Sequence, residues 1–176
     1  MGTFQAELYA RQMPITVGNF IDLANGGFFD GIHFHRVIPN FMNQFGCPYA
    51  KDPASPRCGT GGPPPKSSFT SVDGTTYQRD AEGNIPDEWG AEHQKISNLA
   101  GTLSMANTGN PNSGGSQFFI NVRDNTFLDW FSGGDSQHPV FGKICQNYNL
   151  VLQISQVQTR NDNPIQPIKM ISVRVE

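Results

Sequence analysis

Arg36 is the residue of this chain that most needs a chemical explanation. It sits in His33-Phe34-His35-Arg36-Val37-Ile38, a run that otherwise reads as an apolar strand, and a guanidinium cannot be buried there without hydrogen-bond partners. Gln44 follows at close range with Phe41 and Met42 between them, and a second block, Ser116-Gln117-Phe118-Phe119-Ile120, repeats the mixture further along. In both blocks aromatic side chains alternate with hydrogen-bonding ones at period two, so one strand face can carry an apolar floor and a polar edge. Such a surface suits a small apolar group joined to an uncharged amide. The histidines invite a metal or triad reading, yet His33 and His35 lack a Cys or carboxylate at zinc spacing, and no serine occupies a G-x-S-x-G elbow. His138, beside Pro139 at the end of an aromatic loop, reads as a pocket rim. The glycine-rich stretches Gly59-Thr60-Gly61-Gly62 and Thr108 to Gly115 lack the Gly-Lys-Ser/Thr ending of a nucleotide cradle. No metal and no cofactor is called for, and the chemistry is left to shape and hydrogen bonding.

The elements that must position these groups are short. Phe4 to Tyr9 alternates as a half-buried strand, and Pro14 opens a helix whose apolar stripe (Val17, Phe20, Ile21, Leu23-Ala24) stops at Gly26-Gly27. His33 to Ile38 is the next strand, broken by Pro39-Asn40 before Phe41 to Gln44 resumes it. From Gly46 to about Asn98 prolines and glycine pairs replace aliphatics, which predicts a mostly irregular surface excursion rather than a second domain. Strands are expected at 101–106, 117–122 and 140–144, a second helix at Leu150 to Val157, and a closing strand at Ile168 to Val175. Six or more strands with two helices predict a mainly β, closed or nearly closed antiparallel barrel.

Composition narrows the partners. With 176 residues the chain makes one domain able to bury about 70 % of its unfolded surface. Charged residues are 15 % and the net charge is -3, which is not the basic footprint of a nucleic-acid binder or an electrostatic membrane anchor. No apolar run approaches the length of a membrane span. Cys47, Cys58 and Cys145 are an odd set that reads as reduced thiols and a cytoplasmic setting; a redox-linked bridge between Cys47 and Cys58, which bracket one Pro-rich loop, is a subsidiary reading.

Taken in order, Phe34-His35-Arg36-Val37-Ile38, Phe41-Met42-Asn43-Gln44, Gly59-Thr60-Gly61-Gly62, Leu103-Ser104-Met105-Ala106-Asn107, Ser116-Gln117-Phe118-Phe119-Ile120 and Val140-Phe141-Gly142-Lys143 closely resemble the motifs of the cyclophilin family. The resemblance covers nearly all of the chain except the Pro-rich excursion. It implies an eight-stranded antiparallel barrel capped by two helices, and peptidyl-prolyl cis/trans isomerase activity on proline-containing peptides or unfolded proteins by a monomer. Carried onto matching positions, it makes Arg36 the catalytic arginine. Phe41, Met42, Phe119, Phe127, Leu128 and His138 would form the proline pocket, and Gln44, Ala106, Asn107 and Gln117 would engage the substrate backbone. Gly59 and Thr108 would border a neighbouring secondary pocket.

Three departures qualify the transfer. Phe127 stands where many members carry a pocket tryptophan, so cyclosporin, which that indole normally contacts, is expected to bind weakly. A strand that usually precedes the segment resembling Phe4 to Tyr9 is expected to be missing, leaving an exposed sheet edge. The Gly46–Asn98 region is enlarged, an inert insertion or a partner surface. A proline-recognition module without turnover remains the alternative, and the cation at Arg36 argues against it, because holding a proline ring requires no charge over the amide.

Overall fold

The computed structural model describes residues 1–176. Its largest feature is an antiparallel sheet of six strands, β1 (Gln5–Leu8), β2 (Arg36–Ile38), β3 (Met42–Phe45), β6 (Thr102–Met105), β7 (Phe118–Asn121) and β8 (Val140–Gln146), arranged in the order β1-β8-β6-β7-β3-β2. Two short hairpins, β4 (Ser68–Thr70) with β5 (Thr76–Gln78) and β9 (Thr159–Arg160) with β10 (Asn163–Pro164), lie outside that sheet. Two helices, α1 (Pro14–Asn25) and α2 (Tyr148–Ser155), complete the chain's mainly β architecture.

Period-two alternation divides the residues of the central strands between two environments. Val37, Phe45, Phe118 and Ile120 belong to the main core, where Phe29 and Phe141 pack edge-on against Phe118 at centroid distances of 5.9 and 5.8 Å. Their strand neighbours Met42 and Phe119 join Leu128 in a separate small cluster. The sequence blocks rich in phenylalanine therefore serve core and site with alternate side chains.

α1 has Pro at its first position and no side chain of its own capping the start. Glu88 supplies the cap from the excursion: its carboxylate accepts from the N–H groups of Ile15 and Thr16, both at 2.8 Å, where the helix dipole favours an anion. Burial pushes the Glu88 carboxyl upward, while these backbone bonds act in the opposite direction. Gly18 lets the helix approach the β4–β5 hairpin, since a Cβ there would lie 2.5 Å from the Ser71 Cα.

The expected excursion is thus more regular than its composition suggested. Besides its hairpin it is anchored by Arg79, which is 2 % exposed and donates to Asn19 Oδ1, Ser67 Oγ and Asp22 Oδ2 at 2.9, 2.8 and 2.7 Å. Its guanidinium also lies 4.9 Å from the centroid of the Phe69 ring.

Several boundaries differ from expectation. The second helix runs two residues earlier than read, and β2 begins at Arg36, with His33 making an isolated bridge to Lys169. The expected closing strand at 168–175 is not a regular strand. It lies along 31–34 through Gly31 N–H to Met170 O (2.8 Å), Met170 N–H to Ile32 O (2.8 Å) and Phe34 N–H to Ile168 O (3.0 Å). Pro164 and Pro167 deprive its approach of donors, and Gly31, at φ +79°, turns the facing chain out of extended geometry. No helix is long and apolar enough to cross a membrane.

Candidate active site

Arg36, Gln44, Phe119 and Ser104 are successive register partners across β2, β3, β7 and β6. Neighbouring strands lie about 4.8 Å apart, so this row sets a guanidinium, a carboxamide and a phenyl ring at one-strand intervals. Above them opens a cavity of about 230 Å³. Met42, Phe119 and Leu128 form its buried apolar floor, and Phe41 stands at one side. Ala106, Asn107 and His138 face them from the loops that follow β6 and precede β8.

Arg36 is held from two directions. Nη1 donates to Gln44 Oε1 at 3.5 Å; Gln44 Nε2 donates to Gln117 Oε1 at 3.0 Å; Gln117 Nε2 donates to the carbonyls of Gly59 and Gly61 at 2.9 and 2.8 Å. On the other side, Arg36 Nε lies 3.7 Å from Asp162 Oδ2, and the Asp162 carbonyl accepts from Val37 N–H at 2.7 Å. Asn161 and Asp162 both adopt positive φ in the tight β9–β10 turn, which presents that carboxylate to β2. The arginine side chain remains 47 % exposed, so its remaining donors are accessible to a ligand.

The facing wall is made of loops fixed by side-chain to backbone bonds. Asn107 Nδ2 donates to Gln137 O at 2.6 Å, and its Oδ1 accepts from Gly109 N–H at 3.0 Å. His138 Nδ1 lies 2.8 Å from Met105 O, which assigns the proton to Nδ1 and leaves Nε2 as an acceptor. Its ring stands edge-on to Phe119 at 5.3 Å. Burial lowers the His138 pKa, with the bond to Met105 opposing, so the ring is neutral near pH 7.

Behind this wall lies a buried polar network. Asp129 Oδ1 accepts from both N–H and Nδ2 of Asn98 at 2.7 and 2.8 Å, and Oδ2 accepts from Ser97 Oγ at 2.5 Å. Asn98 Oδ1 accepts from Ser104 Oγ at 2.6 Å, and Asn98 Nδ2 also reaches the His138 carbonyl at 3.1 Å. Asn121 Nδ2 donates to Ser104 Oγ, and Asn125 Nδ2 donates to Asn121 Oδ1. The loop carrying Leu128 and His138 is thereby tied to β6 and β7.

The structure brings Arg36, Phe41, Met42, Gln44, Ala106, Asn107, Phe119, Leu128 and His138 to one cavity. Gln117 lies behind Gln44 in the hydrogen-bond chain, while Gly59 and Thr108 are exposed beyond it. Phe127 is on the rim, 55 % exposed and stacked on Phe41 at 6.1 Å. Trp130 turns elsewhere, donating from Nε1 to Gln94 O. His33 is spent on Ala50 O, and His35 is buried with neither ring nitrogen in a well-formed hydrogen bond; its pKa is lowered to about 4, chiefly by burial and next by the Arg36 charge, with the nearby Gln117 side chain opposing. A neighbouring cleft lined by Glu88, Asp87 and Asn107 holds about 10 Å³, space for no more than a water. Sequence reasoning missed Asp162, Asn98 and Asp129; the Asn161-Asp162 pair was a turn signal, but nothing local linked it to Arg36.

A cation and a hydrogen-bonded amide row stand beside a buried apolar floor, an arrangement with room for an apolar ring and with donors at hand for an amide attached to it. The sequence profile of the cyclophilin type peptidyl-prolyl cis-trans isomerase/CLD family matches residues 1–175. A peptidyl-prolyl cis-trans isomerase of Acinetobacter baylyi is 34 % identical over 181 residues, covering 100 % of this chain and 81 % of that protein. Peptidyl-prolyl cis-trans isomerase A of Dickeya dadantii is 36 % identical, covering 95 % and 73 %. Among solved structures, a cyclophilin type isomerase of Cryptosporidium parvum superposes with a TM-score of 0.74 at 25 % identity, covering 99 % of this chain and 91 % of that one. The same protein, crystallised in the presence of the dipeptide Ala-Pro, gives the same TM-score at 24 % identity. The chain belongs to the cyclophilin family and is a cyclophilin-type peptidyl-prolyl cis-trans isomerase.

Proposed function

We propose that Arg36 is the catalytic residue of this isomerase, and that the cavity beside it takes the proline ring of exposed X-Pro bonds in peptides and unfolded chains. The observation that carries this reading is the cross-strand row, which sets the guanidinium one strand from Gln44 and two from Phe119. Rotation about the X-Pro bond meets a barrier of roughly 18–20 kcal/mol because amide resonance is lost as the bond twists. As it is lost, the proline nitrogen becomes pyramidal and gains a lone pair. Arg36 donates to that nitrogen, an interaction the planar ground state offers poorly, so the transition state is bound more tightly than either isomer. The apolar floor holds the ring, Gln44, Ala106, Asn107 and Gln117 fix the flanking backbone, and Gly59 with Thr108 borders a secondary pocket. No covalent intermediate forms.

Substrate class is supported by the family and by the Ala-Pro dipeptide with which the Cryptosporidium relative was crystallised. We further read the chain as one domain acting as a monomer in the cytoplasm, in keeping with the family match over 1–175 and the free thiols Cys47, Cys58 and Cys145. Cyclosporin binds weakly in this reading, because Phe127 offers no indole donor. A protease-coupled isomerisation assay on a short Ala-Pro peptide, wild type against Arg36→Ala, tests the central assignment. Fast turnover lost in the variant is the expected result, and an equal rate in both would overturn it.

A further inference from the structure

The hydrogen-bond chain that begins at Arg36 continues past Gln117. The two carbonyls that fix the Gln117 amide, those of Gly59 and Gly61, belong to the loop 57–61, which is outside any strand. Gly59 holds φ +86° there, a conformation that does not by itself lock the loop. The loop is clipped instead to a thiol: Gly61 N–H donates to Cys47 Sγ at 3.3 Å, and Cys47 Sγ lies 3.9 Å from the Arg57 carbonyl. Cys47 is 0 % exposed. The loop is packed tightly around this clip, since a Cβ on Gly61 would come within 2.8 Å of Tyr49 Cδ2, while the Arg57 guanidinium stacks 3.5 Å from the centroid of the Tyr49 ring.

We propose that Cys47 is a positioning residue for the isomerisation: its sulfur sets the loop 57–61, whose carbonyls orient Gln117, which in turn orients Gln44 and Arg36. The inference rests on the assignment of Arg36 given above. The sulfur is a soft acceptor reaching a backbone donor at long range, so neither a smaller nor an apolar side chain reproduces both its size and its lone pairs. Without it the Gly61 N–H loses its partner, the loop relaxes, and the Gln117 amide no longer has two fixed carbonyls to bridge. Cys58 follows Arg57 in the same loop but its thiol is directed to the Asp52 carbonyl and stands outside the chain.

The test is a double-mutant cycle on kcat/KM with an Ala-Pro peptide, using Cys47→Ala, Gln117→Ala and the double variant, with melting temperatures measured in parallel. Cys47→Ala is expected to lower kcat/KM about three- to tenfold, and to have no further effect once Gln117 is alanine, because both changes cut the same chain. Cys47→Ser, which retains a short acceptor, restores part of the loss, and Cys58→Ala leaves kcat/KM at the wild-type value. Losses that multiply in the double variant would show that Cys47 contributes packing alone and overturn the inference, as would an unchanged Cys47→Ala or a Cys58→Ala as slow as it. Should Cys47→Ala not fold, the same cycle run with Cys47→Ser decides between coupling and packing in the same way. Full activity in Arg36→Ala would remove the arginine's role separately, leaving the Cys47–Gln117 coupling to be read on its own.

Discussion

The two sides of the pocket are built by different physics. On one side, Arg36, Met42, Gln44 and Phe119 project from paired strands, so backbone ladders fix their spacing. On the other, Ala106, Asn107, Leu128 and His138 ride on loops held by buried side chains, above all Asp129 and Asn98. A ladder bond has its partner specified by register, whereas each bond of the Asp129 network joins residues chosen by tertiary structure. On the assignment proposed above, the chemistry falls on the side that is hard to deform, and the side that would admit different peptide chains rides on loops.

The largest expected effect falls on the sheet side. Arg36→Ala removes a half-exposed side chain, so it leaves the fold intact while slowing isomerisation by roughly one to several powers of ten, at the upper end of what a charged hydrogen bond supplies and beyond. A parallel drop in melting temperature would mean that the arginine is structural. The loop side should answer in the opposite way. Asp129→Ala strands the Asn98 N–H groups and the Ser97 hydroxyl, which costs on the order of 3 kcal/mol of stability in chemical denaturation. If denaturation is unaffected, the network is not what holds the wall.

Acid should sharpen the contrast. The folded His35 titrates near 4, below the ordinary value of 6.5, so the unfolded chain binds its proton first as pH falls. Stability is therefore full above about pH 6.5 and is lost as pH drops towards 4, on the order of 3 kcal/mol from this residue. His138 contributes in the same direction. His35→Gln should flatten that part of the profile; an equally steep fall in the variant would assign the loss to other groups. The smallest effect concerns the rim: Phe127→Trp restores an indole donor on an exposed ring and should tighten cyclosporin about tenfold. Tight binding by the wild type would instead show that the ring alone suffices.

How much of this was legible in the sequence follows the same division. Period two in 34–45 and 116–120 was legible as an apolar floor beside a polar edge, because alternation is a local property of a strand; that Phe45 and Phe118 turn to the core while Gln44 and Phe119 face the cavity came from the structure. The helix at Pro14 carried its own stop signal in Gly26-Gly27, and the structure ends α1 at Asn25. What could not be read was long-range. Asp162 meets Arg36 through a separate hairpin, Asp129 meets Asn98 across a loop, and Arg79 reaches back to Asn19 and Asp22. The proline-rich composition of 46–98 hid the β4–β5 hairpin, whose three-residue strands are too short to show a period. Phe127 resembled a pocket residue by position, yet the loop that runs from it to His138 leaves it stacked outside on Phe41.

The cap that Glu88 places on α1 also makes completion of that helix depend on a distant part of the chain. That carboxylate reaches the helix start from 73 residues away, so until the excursion docks the first N–H groups of α1 are left to water instead of the carboxylate. The helix is next to the N-terminal strand in sequence, yet its cap is a non-local contact that closes a loop of 73 residues. A protease nick in the exposed turn 72–76 would sever no residue of the pocket, and it is expected to slow refolding by turning an intramolecular cap into the docking of a separate fragment.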